Sequence, residues 1–202
     1  MGVGGVMALS VIKTASIAAD AVDNTILDLS DNYAFTGTIT GIDSGIEWQT
    51  AVTMPTNTNT FTLTGIPSTA KNVSILWYNV EHSGNQVVGM KVGTSGGLKS
   101  TGYQGGYAYT SGGTYYSNAP NVTTSYQPLT YFAGKYNGRI DMAKLDGNNW
   151  EYNWQFAVAD GGTAYQNHGA GAVTSLDAEL SQVNFFTTNN WASAGKMVLG
   201  YF

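Results

Sequence analysis

Trp150-Glu151-Tyr152-Asn153-Trp154-Gln155-Phe156-Ala157-Val158 places a large apolar side chain at every even position and a polar or small one at every odd position, Ala157 being the small one. Period two marks a strand with one face buried and one face wet. Upstream, Ile140 and Met142 give a shorter alternation. Between the two runs stands Leu145-Asp146-Gly147-Asn148-Asn149, in which Asp146, Gly147 and Asn148 can take positive φ at little steric cost. The pattern predicts a hairpin over 138–159. A strand face of two Trp, a Tyr, a Phe and a Val must be covered by a second layer, so a sheet-on-sheet core is expected.

Outward from this hairpin, strand-like runs recur at the short, regular spacing of an all-β sandwich or barrel. They are 60–66, 72–81, 87–93, 103–110, 125–132, 171–174, 180–187 and 196–202. Turn chemistry separates them: Ile66-Pro67-Ser68, His82-Ser83-Gly84-Asn85, Thr94-Ser95-Gly96-Gly97 and Asp160-Gly161-Gly162. In 72–81, Val73, Ile75 and Trp77 alternate with Ser74, Leu76 and Tyr78, which predicts a central strand apolar on both faces. The run Met197-Val198-Leu199-Gly200-Tyr201-Phe202 predicts a packed strand that does not tolerate truncation.

The first fifty residues read differently. Ile12, Ala15, Ala19, Val22, Ile26 and Leu29 alternate spacings of three and four, as the a and d positions of a coiled coil do. A helix with that stripe either self-associates or lies on its own domain. Residues 31–41 turn to β-type side chains, and Pro55-Thr56-Asn57-Thr58-Asn59-Thr60 reads as a polar linker. The division expected is an arm over 1–54 and an antiparallel, jelly-roll-like β-sandwich over 55–202. The apolar beginning, with Lys13 inside it and no basic stretch ahead of it, departs from a secretory signal. No run approaches the ~18 apolar residues needed to span a bilayer.

Composition narrows the classes of function. Charged residues are 10% of the 202, where about 25% is usual, and there are 26 Gly. The surface must therefore be largely hydroxyl and amide. The eight Lys and Arg are scattered singly and net charge is −5, which speaks against a nucleic-acid partner. There is no Cys, hence no disulfide framework, thiolate metal site or Cys nucleophile.

Four segments together resemble the C-terminal β domains of tailed-bacteriophage fibre and appendage proteins. They are Phe61-Thr-Leu-Thr-Gly-Ile-Pro67 with Ala70-Lys-Asn-Val73, Val92-Gly-Thr-Ser-Gly-Gly-Leu98 with Thr101-Gly-Tyr103, Gly138 to Trp150, and Ala194-Gly-Lys-Met-Val-Leu-Gly-Tyr201. Upstream, Ile17-Ala-Ala-Asp-Ala-Val22 is similar to units of phage fibre shafts and attachment arms. The resemblance implies a virion structural protein whose arm fixes it to tail or capsid. It also implies a β domain that projects as a homotrimer and carries no catalytic residues. A single arm unit implies a short appendage, and the Tyr density of 103–116 departs from typical fibres.

That Tyr-rich segment is the leading candidate for recognition. Tyr107, Tyr109, Tyr115 and Tyr116 lie among glycines, and Tyr offers a flat apolar face with a polar tip at low entropic cost. They suit either stacking on sugar rings of a host glycan or packing at a sandwich edge or subunit interface. Enzyme chemistry finds little purchase, and no cofactor is expected. Asp141, Glu151 and Asp160 flank the hairpin, but a glycosidase needs two carboxyls facing one cleft. His82, read in a turn, and His168, read in a Gly-rich loop, are far apart in sequence, so neither makes a metal site unless a trimer axis gathers copies of His168. Residues 93–98 are a turn rather than a nucleophile elbow, and 102–113 lacks the Lys of a phosphate loop. Asn72-Val73-Ser74 and Asn121-Val122-Thr123 match the glycosylation sequon, as chance allows in an Asn- and Thr-rich chain.

The expectation is thus a non-enzymatic virion protein: a short trimeric appendage with a glycan-touching head, or a decoration protein that buries surface between capsid or tail neighbours. A carbohydrate-binding module or depolymerase is the remaining alternative.

Overall fold

The computed structural model describes residues 45–202 except 85–86, 112, 119–124, 131–132, 161–162 and 193. The heptad Ile12, Ala15, Ala19, Val22, Ile26 and Leu29 and the run 31–41 lie outside the described residues. All the regular secondary structure of the described residues is β-strand, and they form an all-β antiparallel sandwich.

In chain order the strands are β1 (Glu47–Trp48), β2 (Val52–Thr53), β3 (Thr60–Thr64), β4 (Asn72–His82) and β5 (Val88–Thr94). There follow β6 (Gly97–Leu98), β7 (Tyr103–Ser111), β8 (Thr114–Asn118), β9 (Gln127–Thr130) and β10 (Gly134–Lys144). Last come β11 (Trp150–Asp160), β12 (Thr163–Val173), β13 (Gln182–Thr187) and β14 (Lys196–Tyr201). The larger sheet has nine strands in the order β1-β14-β4-β10-β11-β12-β7-β8, with β2 also beside β14. The smaller has five, in the order β3-β13-β5-β6, with β9 also beside β5.

The predicted hairpin is the middle of the larger sheet. β10 and β11 pair without interruption from Lys135↔Ala159 to Lys144↔Trp150. Their turn is closed by Leu145 N–H donating to Asn149 O (2.9 Å) and Asn149 N–H to Asp146 O (3.0 Å), with Gly147 alone of the turn at positive φ, +50°. Trp150, Tyr152, Trp154, Phe156 and Val158 all face inward and are buried, as are Tyr136, Ile140 and Met142 across the strand. The covering layer brings Leu63, Met90, Val92, Val183 and Phe185. Trp77 of β4 joins the layers. Its ring lies 4.8 Å from Phe156 in its own sheet and 5.0 Å from Phe185 in the other, edge-on to the latter. Each such side chain contributes roughly 1.5–3 kcal/mol by leaving water, so this apolar face is what holds the two sheets together.

β4 is central, as its composition predicts, between β14 and β10. Its outward positions Leu76 and Tyr78 are exposed. Glu47–Trp48 and Val52–Thr53 precede the expected boundary at 54/55, yet both pair with β14, and Met54 is buried. β12 is eleven residues long where only 171–174 was expected. Its sequence is mostly small or amide-bearing and has little strand propensity of its own. Ladders to β11 on one side and β7 on the other impose the extended form. His168 is accordingly in a strand and not in a loop, and His82 is the buried last residue of β4.

Candidate functional site

The strand period divides the four candidate tyrosines between two faces. On β7, Tyr103, Tyr107 and Tyr109 are spaced by even numbers and share a face; Tyr103 is opposite the buried Val173, so that face is the inner one. On β8, Tyr116 is opposite Tyr109 and joins them, while Tyr115 is opposite Thr110 and turns outward. Tyr109 and Tyr116 stack at 4.8 Å with planes 15° apart. Tyr109 has its phenol pushed up by burial and by the neighbouring Tyr116 and Tyr107. Tyr107 packs on the edge of the core. Tyr115 is 60% exposed and lies 6.3 Å from His168, across the outer face. Tyr107, Tyr109 and Tyr116 thus form one group; Tyr115 belongs to another.

Tyr103 is part of the structure's frame. Its hydroxyl accepts the Val92 N–H (2.8 Å) and donates toward Lys99 O (3.2 Å), tying the larger sheet to the smaller. Burial, partly opposed by the Val92 hydrogen bond, lifts its pKa to about 12.

The outer face of the larger sheet carries a second group of polar side chains. Arg139 Nε donates to Asp141 Oδ2 (2.6 Å) and Nη2 to Oδ1 (2.7 Å), while Ser74 Oγ donates to the same Oδ1 (2.5 Å). The paired carboxylate holds the guanidinium pKa up. Beside them on β11 stand Glu151, Asn153 and Gln155, all exposed. A groove of about 370 Å³ opens over Ser74, Asp141, Glu151 and Asn153, walled by Ile46 and Phe202. A second groove of about 410 Å³ shares Arg139 and runs past Leu76, Gln155 and Gln166. A shallower one of about 260 Å³ lies on Ala108, Ser117, His168 and Tyr115. The alternation of 150–158 already assigns Asn153 and Gln155 to the wet face. What it lacks is Arg139 and Ser74 beside them, because cross-strand neighbours depend on register.

Of the three carboxylate residues, Asp141 and Glu151 line one groove, and Asp160 lies apart from them on the strand. Both oxygens of Asp141 are engaged, Glu151 stands diagonally from it along the ladder, and Asp160 pairs with Thr163 at the opposite end of β11. Among the described residues no three His, Cys, Asp or Glu cluster as metal ligands. His82 stacks on Tyr136 at 5.6 Å, inside the core and away from His168. No protein-family model matches the chain, and no curated protein and no solved structure matches it either.

Proposed function

We propose that this chain is a non-enzymatic appendage protein of a tailed-phage virion, attached to tail or capsid by its N-terminal arm and displaying its β-sandwich as a head that touches host-surface glycan. The observation that carries the reading is the aromatic edge of the larger sheet. Tyr115 and Tyr116 are 60% and 45% exposed on the outermost strand, one on each face, with the Tyr109 ring stacked behind Tyr116. Rigid aromatic planes beside hydroxyl and amide groups suit sugar rings, which present C–H faces and hydroxyl edges. The order of the four fibre-like segments supports the virion assignment, and a homotrimeric head would add avidity to weak single sites.

A decoration role is favoured by a different feature. Trp48, Leu76 and Tyr78 are exposed together at the β1–β14–β4 end of the sheet, an apolar surface of the kind buried between protein neighbours. Labelled full-length protein mixed separately with susceptible cells and with particles lacking it distinguishes the two. The appendage reading expects binding to both, with the Tyr115→Ala/Tyr116→Ala pair reducing cell binding at least tenfold and leaving particle binding intact. Binding to particles alone transfers the function to decoration.

A further inference from the structure

We infer that the outer face of the nine-stranded sheet is an extended binding trough for a neutral polysaccharide, running across the strands from Phe202 and Ser74 to His168 and Tyr115. The inference rests on the glycan-contact reading above and gives it a location and a ligand class.

Register is the first argument. Reading across the ladders, Leu76 is beside Arg139, Arg139 beside Gln155, Gln155 beside His168, His168 beside Ala108, and Ala108 beside Ser117. One row lower, Ser74, Asp141, Asn153, Ala170 and Gly106 follow in the same way. These six strands span roughly 24 Å at the usual spacing, room for several sugar rings end to end. The three grooves described above lie along this path, and the first two share Arg139.

Side-chain size is the second. The outward positions near the rows include Ala157, Ala170, Ala172, Ala108 and Gly106, so the middle of the face is low.

Chemistry is the third. Neutral sugars are recognised by planar groups able to donate and accept, namely amides and Arg–carboxylate pairs, with an aromatic ring for the C–H face. Asn153, Gln155 and Gln166 supply amides. Arg139 and Asp141 are already fixed to each other and to Ser74, so the surface is ordered before a ligand arrives. Phe202, 43% exposed, walls one end; Tyr115 stands at the other. The only cation among these residues is neutralised by Asp141, and Glu151 is exposed in the same groove, which disfavours an acidic glycan.

The test uses full-length protein on an immobilised array of neutral and acidic bacterial and plant polysaccharides, followed by titration calorimetry with a hexasaccharide and disaccharide of a neutral hit. The trough predicts a neutral hit bound at least tenfold more tightly as hexasaccharide than as disaccharide. Asn153→Ala and Gln155→Ala should each weaken binding at least fivefold, and Ala157→Trp, which fills the floor from an exposed position, should abolish it, all with unchanged thermal midpoints. A neutral hit whose affinity survives these three changes but falls in the Tyr115→Ala/Tyr116→Ala pair overturns the trough and keeps the glycan-contact reading. Hits restricted to acidic glycans overturn the trough alone. An array with no hits, together with absent cell binding, overturns both.

Discussion

The indole of Trp154 occupies the space that Gly169, its partner on the next strand, leaves empty: a Cβ on Gly169 would come within 2.2 Å of the indole Cζ2 and 2.5 Å of Gly106 O. Tyr152 lies against Gly171 in the same way, with 2.7 Å from a Cβ to the ring. Large residues on β11 and glycines on β12 are therefore two halves of one packing solution. The low face of β12 lets β9 settle over the sheet, where Leu129 O accepts the Trp154 Nε1–H at 3.1 Å.

Gly169→Ala is expected to destabilise the protein by about 3 kcal/mol, because neither the indole nor the backbone carbonyl of β7 can yield without moving a strand. Ala170→Ser, one residue along on the exposed face, should change stability by less than about 0.5 kcal/mol. Urea unfolding of both variants checks this; equal midpoints would show that the indole has a second place to go.

The link between the sheets at Gln127 gives another expectation. Tyr152 Oη donates to one acceptor and lies 3.0 Å from both Gln127 Oε1 and Ala172 O, in a buried setting. Tyr152→Phe removes that donor and strands a buried amide oxygen, for a loss of roughly 1–3 kcal/mol. Pairing it with Gln127→Met should recover part of the loss, since both ends of the contact are then apolar. A double-mutant cycle reads the coupling, and strict additivity would mean that Ala172 O alone holds the hydroxyl.

How far the sequence carries can be seen at these same residues. The inward row Trp150, Tyr152, Trp154, Phe156 and Val158, the hairpin at Gly147 and the central place of β4 follow from period and turn chemistry alone. Only the end of β12, from Gly171, does so, because the segment before it has little strand propensity and Gly169 becomes a strand residue only beneath Trp154. The Tyr segment was legible as composition but not as geometry. The turn at Gly113, φ +83°, fixes the register that puts Tyr116 opposite Tyr109, and strand alternation then turns Tyr115 to the other face, so a single segment of sequence serves two surfaces. The polar group Ser74, Arg139, Asp141 and Asn153 comes from three strands, and its register is not written in any one of them.

Asn167 offers a stabilising change. It lies on the inner face of β12 opposite Phe156 and Tyr109, is fully buried, and neither its amide oxygen nor its nitrogen has a hydrogen-bond partner among the described residues. A buried unsatisfied polar group costs about 1–3 kcal/mol. Asn167→Val replaces it with a β-branched residue suited to a strand and should raise stability by about 1–2 kcal/mol, read as a higher denaturation midpoint. A lower midpoint would show that the amide is held by water.

Tyr103 sets the behaviour in alkali. Its phenol titrates near 10 in the unfolded chain and at about 12 in the fold, where burial favours the neutral form. The contribution is therefore complete below pH 10 and is lost as pH rises from 10 to 12, since there the unfolded chain has released a proton that the native chain retains. The full shift corresponds to roughly 3 kcal/mol, and Tyr152, raised by burial as well, acts in the same direction. Stability measured by urea should thus fall steeply between pH 10 and 12. Tyr103→Phe should be less stable at pH 7, because the Val92 N–H loses its acceptor, yet show a shallower fall over that window. An unchanged slope in the variant would assign the alkaline loss to other tyrosines.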